Sequence, residues 1–341
     1  NPGTLQTTAF VLRKEPDAET RADNEGTYFR LVHEPDSEAK RLAFEQALPD
    51  GSRKYRVAQR RFDAIPGSPW VHWIPGNLRR LFEALPALGD VGQPVVGLQT
   101  SDNFRFLRCW WEVSRERIGY DYRDREKAQD SGKRWFPYMK GGGYRKWYGN
   151  QNYVVNWAGD GAEIKNWVVF RYSYLKGNWE WVVKNVDYYF REGVTYSYLT
   201  SASFSARYSP GGFVFDVAGS SLFPDDMPLV LSVMNASFAA YALKLINPTV
   251  NFQAGDLARL PVPTISGDDL QNLTRQAIAL AEADEQQDEI TFDFIAPPRW
   301  ETGLDDLAAA QSRLAALEAQ IDDKVYRLYG ISDADRAAIE A

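Results

Sequence analysis

The sequence predicts an α+β protein: an aromatic-rich mixed or antiparallel sheet in mid-chain, helices that brace it, and a C-terminal helical segment. Three observations carry that prediction. Between Val95 and Val217, short alternating runs of aromatic and β-branched residues are separated by Gly, Asn and Asp, the punctuation of strands and turns. From Leu229 to Ile246 the chain is mostly apolar over a helical length. Beyond Asp268 it turns acidic, and apolar residues recur at helical spacing.

Taken in order, Thr7-Thr8-Ala9-Phe10-Val11-Leu12 reads as a strand, and Glu34–Leu48 as a helix with Ala39, Leu42, Ala43 and Ala47 on one face. Gly67-Ser68-Pro69 and Pro75-Gly76 mark turns, and Leu78–Leu85 a short helix. The clearest strands are Asn166–Tyr172 and Phe213–Val217. The apolar helix Leu229–Ile246 stops at Asn247-Pro248, because proline disfavours helix in the residue before it. Asp268-Asp269 opens a helix carrying Leu270, Leu273, Ala277 and Leu280 on one face. A last helix repeats Leu307, Leu314, Ile321 and Leu328 at heptad spacing and ends at Gly330; this stripe reads as a packing face within the chain before it reads as a dimer zipper. The divisions are a connector over 1–92, a recognition domain over 93–263 and a helical segment over 264–341.

Composition excludes several classes. The single cysteine, Cys109, rules out a disulfide framework within the chain and suits a reducing cytoplasm, where it reads as a small buried hydrophobe. No apolar run is long enough to span a bilayer, and Asn1-Pro2-Gly3-Thr4 lacks the regions of a signal peptide. It also lacks an initiator Met, so the chain reads as cut from something longer. The two histidines, His33 and His72, have no partners at metal-ligand spacing, and His72 between Val71 and Trp73 reads as structural. No strand-linked GxGxxG, P-loop or nucleophile elbow appears; Gly141-Gly142-Gly143 reads as a hinge in a basic loop. Asp225-Asp226 and Asp305-Asp306 precede apolar helices as capping charge. No catalytic constellation can be assembled. Eleven Trp exceed what a core needs, which places some in grooves or interfaces.

The net charge of −7 conceals an uneven distribution. Asn103–Asn150 holds 12 Lys/Arg against 6 Asp/Glu, a net of +6, whereas Thr264–Ala341 holds 6 against 17, a net of −11. Local fields decide where polyanions bind. Within Lys133–Tyr148, Lys133, Arg134, Lys140, Arg145 and Lys146 alternate with Trp135, Phe136, Tyr138, Tyr144, Trp147 and Tyr148, without one acid. Cations neutralise phosphates while aromatic faces stack on bases or sugars. A second cluster, Gln99-Thr100-Ser101-Asp102-Asn103, sets short polar groups beside Arg105 and Arg108. An exposed aromatic sheet edge and an Asx turn are the plain structural alternatives.

The run Gly97–Phe106 resembles the G-x-x-T-G-x-N-x-x-F entry to the target-recognition domain of TaqI-type N6-adenine DNA methyltransferases, with Ser101 where the family has glycine. Trp135-Phe136-Pro137-Tyr138 and Arg145–Asn150 are similar to the adenine-specific methyltransferases of BREX phage-exclusion systems. So are Phe213–Pro224, Asn235-Ala236-Ser237, Asn247–Phe252, Gly255–Pro263 and Val325–Ile331. The family's catalytic N-P-P-Y and its S-adenosylmethionine loop are absent from this sequence.

The resemblance therefore implies the C-terminal recognition half of such an enzyme, with S-adenosylmethionine held and methyl transferred by an N-terminal methyltransferase domain. It implies no cofactor, metal or catalytic residue in this chain, and no membrane. The partners implied are double-stranded DNA and that N-terminal domain, with room for other phage-defence proteins. DNA contacts are expected from Thr100, Asn103, Arg105, Arg108, Lys133, Arg134, Lys140, Tyr144, Arg145 and Lys146. Two rival readings are a separate specificity subunit of a restriction-modification system and a carbohydrate- or peptide-binding module. The basic loop opposes the last, since neutral sugars want carboxylates and amides beside aromatics.

Overall fold

The computed structural model describes residues 8–199, 203–249, 251–265 and 267–340. The chain divides into two compact units, Asn1–Ala84 and Leu85–Ala341.

In the first unit, helix α1 (Ala18–Asp23) leads into strand β1 (Glu25–Phe29), helix α2 (Ser37–Asp50) and strand β2 (Lys54–Ala58), with helix α3 (Gly76–Ala84) closing it. β1 and β2 pair antiparallel from Glu25↔Ala58 to Phe29↔Lys54. Asp36 caps α2 by accepting the Ala39 N–H at 2.8 Å, and left-handed Gly51 ends it. His72 stacks on Tyr28 at 5.0 Å, the structural role expected of it. The strand expected at Thr7–Leu12 does not form over residues 8–12; Thr7 lies outside the described residues. Phe10, Val11 and Leu12 are exposed and no described strand pairs with them, so β propensity has no ladder to act through.

The second unit begins with helices α4 (Leu88–Val91) and α5 (Asn103–Phe106), strand β3 (Leu107–Cys109), helix α6 (Arg125–Asp130), and strands β4 (Trp135–Met139) and β5 (Tyr153–Asn156). Helix α7 (Ala158–Arg171) follows, then strands β6 (Gly193–Tyr196), β7 (Ala206–Ser209), β8 (Val214–Phe215) and β9 (Ser221–Leu222). The strands form a mixed sheet in the order β3-β5-β4-β8 and an antiparallel sheet β7-β6-β9. All five residues of β4 are buried. Pro137 interrupts nothing: β8 pairs only with Tyr138 and Met139, so the missing N–H falls where that ladder has not begun. Gly97 is required where the chain crosses β8, since a Cβ there would stand 2.0 Å from the Phe215 carbonyl oxygen.

The strand expected at Asn166–Tyr172 is instead the C-terminal half of α7. Ile164 and Val168, four apart, are fully buried while Phe170 faces solvent; that period is helical. The helix expected from Leu229 to Ile246 is two, α8 (Met227–Asn235) and α9 (Ser237–Ile246), bent by 72°. The bend is enforced by hydrogen bonds. The Asn235 side chain accepts from the Ala206 N–H and donates to its carbonyl, both at 2.9 Å. Asp322 accepts the Ser237 N–H at 2.9 Å and hydroxyl at 2.6 Å, capping α9. Asp226 caps α8, as its position suggested, by accepting the Leu229 N–H at 3.0 Å.

Helix α10 (Ala254–Leu257) precedes the long pair α11 (Asp268–Glu285) and α12 (Gly303–Tyr329); α13 (Asp333–Glu340) ends the chain. α12 packs on α11 and α8, so its apolar face does serve the chain's own core. The buried positions are Leu317, Ile321, Val325, Tyr326 and Tyr329; of the heptad set only Ile321 is fully enclosed. An α-helix drifts off a strict seven-residue stripe, and a straight pair follows the four-residue ridge instead. No single helix among the described residues is long and apolar enough to cross a membrane, and the bent α8–α9 pair is core. Trp135, Trp147 and Trp157 are buried; Trp70, Trp111, Trp181 and Trp300 are exposed.

Asn235→Ala should cost about 2–4 kcal/mol, because it orphans the buried Ala206 N–H, leaves the Ala206 carbonyl with the Trp147 N–H as its donor, and opens a void. Urea unfolding checks this; a loss below about 1 kcal/mol would mean that the bend is held by packing alone.

Candidate nucleic-acid interface

The 99–108 cluster is a pinned turn. Thr100 is buried, and its hydroxyl donates to Asn103 Oδ1 at 2.5 Å while accepting the Asp102 N–H at 3.3 Å. Asp102 caps α5 by accepting the Arg105 N–H at 3.1 Å. Between them Ser101 holds a left-handed φ of 60°, the conformation a glycine adopts freely, and its buried hydroxyl has no hydrogen-bond partner among the described residues. At the far end Arg108 Nη1 donates to the carbonyls of Phe104 at 2.7 Å and Leu107 at 2.6 Å. Thr100 is thus a buried brace, whereas Asn103 and Arg105 are exposed.

Glu163 of α7 organises the cations around this turn. Arg105 donates to Glu163 Oε1 through Nε at 3.1 Å and Nη2 at 2.7 Å. Asn156 Nδ2 donates to Oε2 at 2.8 Å, and Arg134 Nη2 lies 3.6 Å from it. The Arg105 guanidinium foremost, with Asn156 and Arg134, holds the Glu163 carboxyl below the usual range against a smaller opposing effect of burial. Arg105 also lies 4.9 Å over the Trp167 ring, and Arg108 and Arg134 lie 5.6 and 5.8 Å from the centroid of Trp135. Lys133 is close by in the chain, its ammonium donating to the Glu116 carbonyl.

The remainder of the basic segment goes elsewhere. Lys140 sits over Tyr153 at 5.2 Å, and Tyr144 is exposed. Arg145 pairs with Asp284 and Glu285, each at 3.3 Å, and Lys146 with Glu318 at 3.7 Å, which also accepts the Trp147 indole N–H at 2.7 Å. Glu285 is itself buried, and burial raises its carboxyl. Near it Arg207 is wholly buried, with Nε and Nη2 unpartnered among the described residues, and burial pushes its guanidinium down to about 10.

The aromatic residues expected to stack on bases are mostly core. Trp135, Phe136, Tyr138, Trp147 and Tyr148 are buried, leaving Tyr144 as the exposed member of the set. Strand pairing of β4 and the packing around it claim Trp135, Phe136 and Tyr138, while the Trp147 indole donates to Glu318 and the Tyr148 hydroxyl to Asp293. The glycine run is not a hinge: a Cβ on Gly141, whose φ is 80°, would meet the Ala218 carbonyl oxygen at 2.5 Å. Asn150 Nδ2 donates to the Gly143 carbonyl at 2.9 Å and closes the loop. Among the described residues no three His, Cys, Asp or Glu converge on a metal site. Sequence reasoning passed over Glu163 and Phe104. The i, i+4 spacing of Glu163 with Trp167 was the available sign of a helix placing both on one face.

No family model matches the chain. It is 33% identical over 296 residues to the adenine-specific methyltransferase PglX of Lacticaseibacillus casei (strain Zhang), covering 85% of this chain and 24% of that protein. It is also 33% identical over 296 residues to the adenine-specific methyltransferase BrxX of Escherichia coli O9:H4 (strain HS), covering 85% and 22%. The chain is related to PglX and BrxX. It spans about a quarter of the length of these relatives. The Type IIL restriction-modification enzyme MmeI, solved in complex with DNA, aligns with 74% of this chain and 35% of its own at 12% identity and a TM-score of 0.46, too loose a likeness to carry an argument.

Relative to the glycine that the turn's geometry favours, Ser101 carries a strain of about 1–2 kcal/mol and a buried unpaired hydroxyl. Ser101→Gly should therefore stabilise the chain by about 1 kcal/mol after the extra unfolded-state freedom of glycine is subtracted. A lower thermal midpoint for that variant would contradict the reading of the turn.

Proposed function

We propose that this chain is the DNA target-recognition segment of a BREX-type adenine-specific methyltransferase, and that it grips double-stranded DNA at one end of β4. The observation that carries the reading is the clustering of Arg105, Arg108 and Arg134 beside exposed Asn103: Arg105 and Arg134 share the partly exposed Glu163 carboxylate, and Arg108 and Arg134 share the Trp135 ring. Relationship to PglX and BrxX, named as adenine-specific methyltransferases, supports a role beside methyl-transfer chemistry. S-adenosylmethionine and the transfer step belong, in this reading, to a separate methyltransferase domain. Base flipping requires groove contacts to hold the duplex while one base leaves the stack, and this chain supplies them.

Magnitudes decide which cations are available. The pairs of Glu163 with Arg105 and Arg134 are between partly exposed groups, and such pairs contribute about 0–1 kcal/mol. A phosphate can replace that carboxylate at little cost. Releasing Arg145 would leave Glu285, only 3% exposed, without its cation, and uncovering a buried charge costs several times more. Arg145 and Lys146 are therefore assigned to bracing the loop against the C-terminal helices.

The test is the salt dependence of binding to a mixed-sequence duplex. Arg108→Ala combined with Arg134→Ala should reduce the slope of log K against log salt by about 2 units, since each phosphate contact contributes roughly 0.9. Arg145→Ala combined with Lys146→Ala should leave the slope unchanged. The opposite pattern would move the interface to the other end of β4, and no binding by the unaltered chain would remove the recognition reading.

A further inference from the structure

Phe104 stands out because the fold does not use it. Its ring is 93% exposed, on a four-residue helix whose neighbouring ring, Phe106, is fully buried. Exposing a phenyl group forgoes the stabilisation that its burial would supply. The backbone beneath it is nonetheless fixed from both sides. Asp102 caps the N-terminal end, the Thr100–Asn103 hydrogen bond locks the preceding turn, and Arg108 holds Phe104's own carbonyl at 2.7 Å. A ring presented this rigidly loses little further entropy when it is enclosed, having only two side-chain torsions to fix.

Its surroundings select the occupant. Arg105 is its chain neighbour, Arg108 is bonded to its carbonyl, and Arg134 shares Glu163 with Arg105. An apolar protein surface would have to desolvate these cations without compensation, whereas a nucleic acid offers phosphates to the cations and a base stack to the ring. Resting on the DNA-recognition reading, we propose that Phe104 is an apolar wedge. It enters the stack between two base pairs of the bound duplex, opening one step while the flanking arginines hold the phosphates on either side.

Partial insertion unwinds DNA, which can be read independently of affinity. A nicked plasmid is ligated in the presence of the chain, and the linking-number distribution of the closed product is compared with a protein-free control. Binding is measured in parallel by fluorescence anisotropy on a mixed-sequence duplex. The unaltered chain should shift the distribution towards fewer turns. Phe104→Ala should abolish that shift and weaken binding about tenfold with an unchanged salt slope, since stacking contributes ~1–3 kcal/mol and no charge is lost. Phe104→Trp should retain the shift. Because the ring is 93% exposed, thermal melting should show both variants folded. Binding without a shift by the unaltered chain, or a full shift from Phe104→Ala at equal occupancy, would overturn the wedge and leave the ring to a protein partner. Absence of any binding would overturn the DNA-recognition reading and the wedge with it.

Discussion

The burial of both faces of β4 governs the arrangement of everything charged around it. Trp135, Phe136, Pro137, Tyr138 and Met139 form a strand with no solvent face, lying between β5 and β8. A five-residue strand is about 17 Å long at roughly 3.4 Å per residue. A basic run that is continuous in sequence is therefore split in space. Lys133 and Arg134 emerge at one end beside the 99–108 turn, and Lys140 to Lys146 emerge at the other, where Arg145 and Lys146 meet the acidic helices. The Tyr138 hydroxyl anchors the strand by donating to Asp216 at 2.6 Å, and burial keeps that carboxyl raised.

This split reconciles the net negative charge of the chain with the proposed polyanionic partner. Of the 17 acids beyond Thr264, Asp284, Glu285 and Glu318 neutralise the cations that brace the loop. At the opposite end Arg105 and Arg134 share Glu163, whose bond to Arg105 orients the guanidinium without locking it. One kind of ion pair fastens the helical segment to the sheet; the other keeps long side chains ordered until a stronger anion arrives. What sets the bracing pairs apart is the burial of Glu285, since Asp284 and Glu318 are about as open as Glu163, and neither sequence nor net charge displays that burial.

Much of the architecture was legible because it rests on local rules. The helices over Ser37–Asp50, Gly76–Ala84 and Asp268–Glu285, and the stop at Gly330, follow from spacing, caps and breakers. Where tertiary packing decides, the sequence misleads. Asn166–Arg171 has strand propensity but is a helix, because Ile164 and Val168 reach one core. The apolar run after Leu229 bends because Asn235 binds the backbone of β7, a partner 29 residues away. The sequence pointed to the turn at Thr100–Asn103, and the fold brings Arg105 and Arg134 together at Glu163 beside it, with Arg108 and Arg134 at Trp135. Glu163 and Phe104 were not legible: one depended on the misread helix, and the other shows its meaning only through exposure.

The central claim, that the recognition surface lies at the Arg105–Arg134 end of β4 and not along the whole basic segment, is tested most directly by amide hydrogen exchange. The chain would be compared with and without a saturating mixed-sequence duplex. The account predicts slowed exchange over residues 100–108 and 133–135, with residues 143–150 unchanged. Protection over 143–150 with none over 100–108 would contradict it.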